Sequence, residues 1–415
     1  MYYLRLAFRN LFRHRGRTVI TALVLALAVF VFIFMDSIMA GMEEMSFRNI
    51  IDLQSAHLEI GEEDFYEDGV ESPGRDVFVS GEELTTAVRE IEGFQALTSM
   101  VSFGATFSRG REEFPVLVRG IAPDSYREVF KLQNYIEKGS FFTEDTGAEG
   151  IIIGRQLADL FELEVGDYPF LLFRDAGGSF NTFEGEIIGI VNSPNPEVNS
   201  RTVFIGLERA REVLGIGEEQ ITQLVVRLDG REQALPAAGF LRGKIDESGL
   251  KVRTWRDSAE LIIAMSEVEE IENTVILILI LMIGALGVIN TIILSAMERV
   301  QEIGMMKAMG LTEKEIIRIF TLEAGGIGII GGVLGCLAGA IGVGLFSHYG
   351  YDISTFFEGG METYGIPIIG RIYGAWNLQA FVFVFVFGII ISLLAGYFPA
   401  RWAAHKDPVD ALHHH

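Results

Sequence analysis

The fold of this chain is decided by residues 273–315, NTVILILILMIGALGVINTIILSAMERVQEIGMMKAMGLTEKE. The first 25 of these residues carry no charge, and a helix needs only about 18 to 20 apolar residues to cross a bilayer. The other 18 form a charged island before the next apolar run begins. This pattern predicts a membrane helix followed by a short segment in water.

Three further runs are long and apolar enough to span a membrane: residues 18–35, 324–347 and 372–400. The last contains FVFVFVF at 381–387, which alternates with the period of a strand. Both faces of such a strand would be apolar, and an isolated strand leaves its backbone groups unpaired in lipid. We therefore predict four membrane helices, the fourth from about residue 378 to 398.

Basic residues predict the orientation of these helices. The first span follows five arginines with no acidic residue among them: Arg5, Arg9, Arg13, Arg15 and Arg17. Because cytoplasmic segments are enriched in Lys and Arg, we expect the N-terminus in the cytoplasm, and four spans return the C-terminus there. A cleaved signal peptide is the alternative, but the apolar run is longer than usual and no clear A-x-A site follows it.

About 230 residues separate the first two spans, and they carry the acidity of the chain. Residues 41–270 contain 44 acidic and 21 basic side chains, an excess that equals the net charge of −23 for the whole chain. Such a negative surface disfavours nucleic acid or anionic lipid as its partner. A segment of this size can bury its own hydrophobic core.

This segment is predicted to be a large α+β extracytoplasmic domain inserted between helices 1 and 2. Residues 100–107 and 114–118 flank a turn-like stretch and predict a hairpin, and 185–191 and 221–228 predict further strands. Short helices are expected at 156–163 and 207–214, with Gly166 and Gly215 close behind. From residue 258 the chain is charged and helical, and it enters the second span without Gly or Pro.

We therefore expect the following order of segments: 1–17 basic and cytoplasmic, 18–42 first span, 43–257 extracytoplasmic domain, 258–297 stalk and second span, 298–315 cytoplasmic island, 316–347 third span, 348–376 external loop, 377–400 fourth span, 401–412 cytoplasmic tail, and 413–415 remnant of a purification tag.

Residue patterns for catalysis or metal binding are missing from the sequence. The single Cys336 lies in an apolar run, the histidines lack metal-ligand spacing, and no G-x-x-x-x-G-K-[ST] occurs. We expect no catalytic residue, metal or cofactor in this chain. Gly331, Gly335 and Gly339 recur every four residues, which predicts close contact with a neighbouring helix.

The charged island has one apolar side. Ile303, Met306 and Gly310 share a helix face, with Lys307 adjacent and Glu302 supplying charge. Such a ridge suits a cleft in a partner protein. The alternative is an ordinary polar connector, and the residues alone leave both open.

Two motifs carry a resemblance to a known family. ERVQEIGMMKAMG at 298–310 resembles the E-(K/R)-x-x-E-I-(A/G)-x-(L/M)-(K/R)-A-x-G signature of FtsX-like ABC transporter permeases. GYFPARWAAHKDPVDAL at 396–412 is similar to the family's C-terminal motif, and RNLFRHRGRT at 9–18 to its basic N-terminal helix. WRD at 255–257 is similar to the lipoprotein-releasing branch, LolC and LolE, more than to the macrolide exporter MacB, whose fused ATPase is absent here.

The resemblance implies mechanotransmission, in which a dimer of separate ATPase subunits, holding ATP and Mg, moves the permease helices. The implied coupling residues are Glu302, Ile303, Met306, Lys307 and Gly310, and those along the cytoplasmic surface are Arg5, Arg9, Arg13 and Arg17. A second permease copy or paralogue is the other implied partner. The implied location is the inner membrane, with the large domain in the periplasm.

Three functions are compatible with the resemblance: lipoprotein release towards a periplasmic chaperone, export of a hydrophobic compound or peptide through a periplasmic adaptor, and signalling to a cell-wall hydrolase. Lipid cargo requires an apolar cavity. Its candidate lining, across a dimer, is Phe30, Phe34, Met35, Met39 and Met42 of the first helix with Ile271 and Val275 of the second. Core packing is the alternative role of these side chains.

Overall fold

The computed structural model describes residues 7, 15–67, 76–110, 112–143, 149–245, 249–298, 303, 305–307, 309–352 and 371–405. Backbone contacts divide the chain into two compact units. The membrane unit comprises Met1–Glu44, Met265–Tyr351 and Arg371–His415, and the inserted domain comprises Met45–Ala264 and Asp352–Gly370.

The described helices are α1 (Arg15–Leu53), α2 (Glu63–Glu67), α3 (Glu82–Arg89), α4 (Pro123–Val129), α5 (Arg155–Leu160), α6 (Pro196–Arg201), α7 (Leu207–Leu214), α8 (Ala234–Ile245), α9 (Trp255–Ser258), α10 (Glu260–Glu298), α11 (Glu313–Tyr349) and α12 (Leu378–Ala404). Two 3-10 turns cover Leu132–Tyr135 and Arg231–Gln233.

The described strands are β1 (Leu58–Glu62), β2 (Phe78–Val79), β3 (Phe94–Arg109), β4 (Glu112–Ile121), β5 (Ile136–Gly139), β6 (Gly150–Gly154), β7 (Phe170–Arg174), β8 (Phe180–Glu184), β9 (Glu186–Val191), β10 (Thr202–Gly206), β11 (Gln220–Ile221), β12 (Gln223–Leu228), β13 (Leu250–Thr254), β14 (Tyr351–Asp352) and β15 (Arg371–Ile372).

Four of the described helices, α1, α10, α11 and α12, are long and apolar enough to cross a membrane. The predicted number of spans is therefore confirmed. Residues 381–387, with their strand-like alternation, lie inside α12, so the predicted helix is confirmed there as well. A helix pairs its backbone groups within one segment, which lipid requires and a single strand cannot provide.

In the membrane unit, α11 packs closely against α1. A Cβ atom at Gly335 would lie 2.6 Å from the Val29 Cβ and 2.7 Å from the Ala26 carbonyl oxygen, and Gly331 and Gly339 meet α1 at similar distances. The predicted glycine face is thus confirmed as a helix contact. The hydroxyls of Thr21 and Thr291, 2.5 Å apart, join α1 to α10.

The inserted domain is built on an eleven-stranded mixed sheet, and its α+β character is confirmed. The order β13-β1-β12-β3-β4-β10-β6-β9-β5 runs across it, with β7 pairing β3 and β8. The predicted hairpin is β3 and β4, paired from Met100↔Ile121 to Arg109↔Glu112. Gly215 ends α7 with φ +68, as its position predicted.

One predicted strand, 221–228, is divided in two. Thr222 donates its backbone N–H to the Met100 carbonyl, and its hydroxyl accepts from the Ser102 N–H. Its side chain thus takes part in the pairing with β3. The residues before it pair with β2, and those after it pair with β1 and β3.

Candidate functional site

In the island of residues 298–315, two members of the predicted ridge, Ile303 and Met306, pack inward, whereas Gly310 is exposed. Ile303 and Met305–Lys307 are helical, and Ile303 is only 3% exposed. It belongs to a buried cluster with side chains of α11 and α12, including Phe320 and Ala403. Ile303 therefore fixes the island to the membrane unit of its own chain.

Gly310 ends the island helix. Its φ of +97 lies in the left-handed region, its N–H donates to the Lys307 carbonyl, and the Leu311 N–H donates to the Met306 carbonyl. These two bonds make a Schellman cap, in which glycine is favoured because it has no Cβ. Met306 and Leu311 pack against the same cluster as Ile303. Gly310 and Met306 thus shape the island.

Among the described residues of the island, the exposed apolar side chains include Met305 and Met309, which are 52% and 73% exposed. Sequence reasoning missed this face, although the four-residue spacing of the two methionines predicts that they share one side of a helix. Lys307 lies next to it, with its ammonium nitrogen 3.8 Å from the Glu313 carboxylate. Methionine side chains adapt readily to varied apolar partners.

Several residues that the sequence predicts on the cytoplasmic side are not among the described residues. Glu302, Arg5, Arg9 and Arg13 are outside the described residues, and only the backbone of Arg17 is described, as part of α1. Their suggested roles stay predictions.

The candidate cavity residues fall into two environments. Phe30 stacks on Phe34, with ring centroids 5.8 Å apart, and Phe34 packs 5.6 Å from Phe346 of α11. Ile271 and Val275 are exposed on α10. Within one chain, the two phenylalanines therefore meet α11 and not these α10 residues. Met35 is exposed, while Met39 and Met42 are half-buried. A cavity across a dimer stays a prediction.

The end of α1 is fixed inside the inserted domain by an ion pair that sequence reasoning did not find. The Asp52 carboxylate accepts from the Arg227 guanidinium at 2.7 Å and lies 3.3 Å from the Lys131 ammonium. Arg227 also donates to the Val129 carbonyl. Removing one partner of such a buried pair leaves an uncompensated charge, so the contact resists separation of α1 from β12.

A second contact between α1 and the inserted domain's other elements is aromatic. The rings of Phe47 in α1 and Trp255 in α9 lie 4.9 Å apart, and the Trp255 indole N–H donates to the Arg231 carbonyl. Thr254 and Asp257 form a capping box at the start of α9. The chain leading to α10 is thereby held against the end of α1, within the inserted domain.

Two ionisable side chains are buried in the same domain: Glu59 in β1 and His57 directly before it. Burial raises the pKa of Glu59 to about 7, although Arg119 and Arg253 lower it. Burial lowers the pKa of His57 to about 4, and Arg227 lowers it further. The Leu228 N–H donates to the His57 Nδ1 at 3.2 Å, which requires the neutral ring. Among the described residues no acidic, histidine or cysteine cluster is arranged to hold a metal ion.

A carboxylate is also buried in the membrane unit. Glu323 of α11 is 6% exposed, and its Oε1 accepts a hydrogen bond from the Ser295 hydroxyl of α10 at 3.4 Å. Ionisable side chains inside a membrane bundle are costly and usually mark functional positions. This bond ties the helix before the island to the helix after it.

Two family profiles match the chain. Residues 18–239 match the MacB-like periplasmic core domain, and residues 274–408 match the FtsX-like permease C-terminal domain. The four apolar helices and the inserted domain fit both. The chain therefore belongs to the MacB-like and FtsX-like family of ABC transporter permeases, whose members work with an ATPase.

The chain is similar along its whole length to permeases that carry different functional names. An uncharacterized ABC transporter permease of Methanocaldococcus jannaschii is 22% identical over 98% of this chain and 96% of its own length. The lipoprotein-releasing system transmembrane protein LolC of Neisseria meningitidis is 24% identical over 99% of this chain and 97% of its own. The macrolide export ATP-binding/permease protein MacB of a Shewanella species is 24% identical over 99% of this chain, but only 60% of its own length is covered.

Proposed function

We propose that this chain transmits mechanical movement from a cytoplasmic ATPase to the inserted domain on the other side of the inner membrane. The observation that carries the proposal is the continuity of α1 and α10, each 39 residues long. At 1.5 Å per residue each helix is about 58 Å long, roughly twice the hydrocarbon thickness of a bilayer. Both termini and the island would then be cytoplasmic.

The far end of α1 supports this role. Asp52 of α1 pairs with Arg227 of β12, and Phe47 of α1 packs on Trp255 of α9, the short helix that precedes α10, so movement of α1 would be passed to the sheet of the inserted domain. At the near end, Ile303 is buried between α11 and α12, and Glu323 receives a hydrogen bond from α10. A push on the island would therefore reach α10 through packed side chains.

The ATPase would meet the exposed methionine pair of the island. Met305 and Met309, with Lys307 beside them, form the coupling surface in this proposal, while Ile303, Met306 and Gly310 hold the island in shape. The charge of Glu302 stays a prediction from the sequence. ATP and Mg would bind to the ATPase subunits. An apolar pair on a short helix suits a cleft in a partner.

The coupling surface is tested with Met309→Glu. A buried unpaired charge in the ATPase cleft is costly, so copurification of the ATPase subunit and its ATP turnover should both fall, with membrane insertion unchanged. The matched control is Leu160→Glu, which adds the same charge to an exposed apolar position of the inserted domain. Equal ATPase binding by both variants would mean that the island is only a connector.

For the cargo, we propose lipoprotein release. Acyl chains hold a lipoprotein in the bilayer by about 0.8 kcal/mol per buried CH₂, so extraction needs both mechanical work and an apolar cavity. The end-to-end similarity to LolC supports this cargo. Across two copies, Ile271 and Val275 would line the cavity with Met35, Met39 and Met42, while Phe30 and Phe34 support it from the α11 side.

Cargo is tested in liposomes that contain this chain, the ATPase with which it copurifies and a fluorescent triacylated lipoprotein. ATP should release the lipoprotein to a soluble acceptor, and Ile271→Asp should reduce release while ATPase binding persists. Leu160→Asp is the control.

Two alternative functions have distinct outcomes in the same liposomes. MacB-like export predicts ATP-driven movement of an amphipathic compound, without lipoprotein release. FtsX-like signalling predicts neither, and predicts instead an ATP-dependent change in binding of a cell-wall hydrolase. Either result in place of release would contradict lipoprotein cargo.

A further inference from the structure

Helix α12 carries an apolar groove on the side that its own chain leaves uncovered. Ala380, Val384 and Gly388 are buried on the other side of the helix. Residues four apart share a helix face, so side chains with that spacing form rows along the helix axis. Two adjacent rows of this kind line a volume of about 600 Å³: Leu378, Val382, Val386 and Ile390, and Gln379, Phe383 and Phe387.

The groove has the length of one leaflet. From Leu378 to Ile390 it covers about 18 Å at 1.5 Å per residue, and half the hydrocarbon thickness of a bilayer is about 15 Å. The rings of Phe383 and Phe387 are stacked, with centroids 5.7 Å apart and 6° between their planes, so they form a flat wall. A groove of this length and shape suits an acyl chain lying along the helix.

One end of the groove lies where the chain leaves the hydrocarbon. Trp376 directly precedes α12, is 52% exposed, and stacks on Phe381 with ring centroids 6.1 Å apart. Tyr373 lies close to Gly350, which follows the end of α11, and is also exposed. Tryptophan and tyrosine are enriched at the boundary between hydrocarbon and water. Gln379 is therefore at the level of the lipid headgroups, and the groove runs from there into the leaflet.

Aromatic contacts with lipid are concentrated on this part of the membrane unit. The exposed large apolar side chains of α1 and α10 are aliphatic or methionine. Where the structure describes the membrane unit, its exposed Phe, Tyr and Trp side chains all belong to the end of α11, the segment after it, or α12: Tyr349, Tyr351, Tyr373, Trp376, Phe383, Tyr397, Phe398 and Trp402. Such interfacial residues hold a helix at a fixed depth in the bilayer.

A positive charge lies in the segment that leads to the groove. Arg371 in β15 and Tyr373 directly after it are exposed, while Ile372 between them is buried. Among the described residues the Arg371 guanidinium has no acidic partner, and the Gln379 carboxamide has no hydrogen-bond partner. A guanidinium matches the geometry of a phosphate, and a carboxamide can donate to the oxygens of a headgroup.

We propose that the α12 groove binds one phospholipid of the leaflet remote from the island, with an acyl chain along Phe383 and Phe387 and the headgroup at the level of Gln379 and Arg371. The apolar length and the positive charge together fit a phospholipid. A membrane helix of another protein would match the apolar groove alone.

This site goes beyond the proposed function, because it needs neither the ATPase nor a cargo. It lies on α12, whereas the candidate cavity residues belong to α1 and α10. Because α12 packs on α11 at Gly328 and Gly332, a phospholipid bound to α12 would hold both helices at a fixed depth. The two helices would then form a frame against which α1 moves along the glycine face.

Native mass spectrometry of the full chain in detergent micelles tests the groove, with phosphatidylglycerol as the added lipid. Wild type should bind one phosphatidylglycerol molecule saturably. Val386→Trp places an indole in the groove and should weaken this binding about 10-fold or more. Leu337→Trp, the matched control, adds the same ring to an exposed leucine of α11 and should bind like wild type. Absence of a bound lipid from wild type, or equal binding by the two variants, would overturn the proposal.

The headgroup contact is tested in the same micelles. Arg371→Ala should weaken phosphatidylglycerol binding about 3- to 10-fold, the effect of one cation near a lipid phosphate. Arg318→Ala removes the same charge from an exposed position near the start of α11 and should have no effect. A diacylglycerol with the same acyl chains should bind less tightly than phosphatidylglycerol, and equal affinity for the two lipids would overturn the role of the phosphate.

Two further measurements distinguish the other possible occupants. Phosphatidylglycerol should stay bound when a triacylated lipopeptide is added at equal concentration, and its replacement by the lipopeptide would assign the groove to cargo. In the native membrane and a Cys336→Ala background, crosslinking of Phe383→Cys to another protein would assign it to a partner helix. Either result would overturn the phospholipid assignment. The ATPase has no part in these measurements, so their failure leaves the proposed mechanical coupling untouched.

Discussion

Glu59 and His57, buried two residues apart, give the inserted domain opposing responses to pH. The pKa of Glu59 is raised from 4.5 to about 7 in the folded protein. Between these two pH values the Glu59 carboxyl is therefore protonated in the folded protein and ionised in the unfolded chain. The pKa of His57 is lowered from 6.5 to about 4 in the folded protein, so the unfolded chain binds a proton at a higher pH than the folded protein does. Stability conferred by Glu59 falls as pH rises, and that conferred by His57 falls as pH drops.

The first prediction is that Glu59→Gln increases stability at neutral pH. The raised folded pKa means that wild-type Glu59 contributes fully below pH 4.5 and loses this contribution as pH rises through 7. The variant avoids the loss, so its free energy of unfolding should exceed that of wild type by up to about 3 kcal/mol at pH 7.5.

Chemical unfolding of the full chain in detergent, from pH 4.5 to 8, measures this difference. The gap between Glu59→Gln and wild type should close towards pH 4.5. The variant should keep the His57 response, a loss of stability as pH falls below 6.5. A gap that does not vary with pH would contradict the burial of an ionisable Glu59.

At the scale of elements, the island and the glycine face of α11 show what the spacing of residues along a helix can and cannot predict. The spacing of Ile303, Met306 and Gly310 predicts one side of a helix. The structure packs Ile303 and Met306 into a cluster with side chains of α11 and α12, whereas Gly310 is exposed and follows the helix with φ +97. Periodicity identifies an apolar face, and cannot tell whether its own chain or a partner covers it. For the glycines, the spacing predicts contact with a neighbouring helix, and α1 of the same chain provides it.

The second prediction concerns this glycine face. Gly335→Ala would place a methyl group 2.6 Å from Val29 and 2.7 Å from the Ala26 carbonyl, so the helices must separate, at about 1 to 3 kcal/mol. Gly388→Ala in α12 is the matched control, because the nearest atom to its Cβ lies 4.0 Å away. Thermal unfolding in detergent should be lowered by the first change and not by the second. Equal midpoints would show that α11 and α1 are not in close contact.

At the scale of the whole molecule, two exposed residues report on topology: Asp124 lies in the inserted domain and Met309 lies in the island. Four spans and the arginines before the first one predict that these positions lie on opposite sides of the membrane, with the island in the cytoplasm. Movement can cross the membrane only if the two ends of α10 have this arrangement. Topology is therefore the premise of the proposed function.

The third prediction tests it. In a Cys336→Ala background, Asp124→Cys should react with an impermeant thiol reagent added outside intact cells or spheroplasts, whereas Met309→Cys should react only after the membrane is opened. Both side chains are exposed, so a difference in labelling would report the side of the membrane and not burial within the protein. External labelling of Met309→Cys alone would invert the topology and remove the argument for an ATPase contact.

The sequence by itself determined the four spans, the inserted α+β domain, the hairpin of β3 and β4 and the family, because hydrophobic length, strand alternation and two local motifs are properties of neighbouring residues. Only the tertiary structure decided that Ile303 faces inward, that Phe30 and Phe34 pack on α11, and that Asp52 pairs with Arg227, 175 residues later. Each of these depends on which distant segments meet. Local periodicity carries no information about that choice, since burial and pairing are settled by the packing of the whole chain.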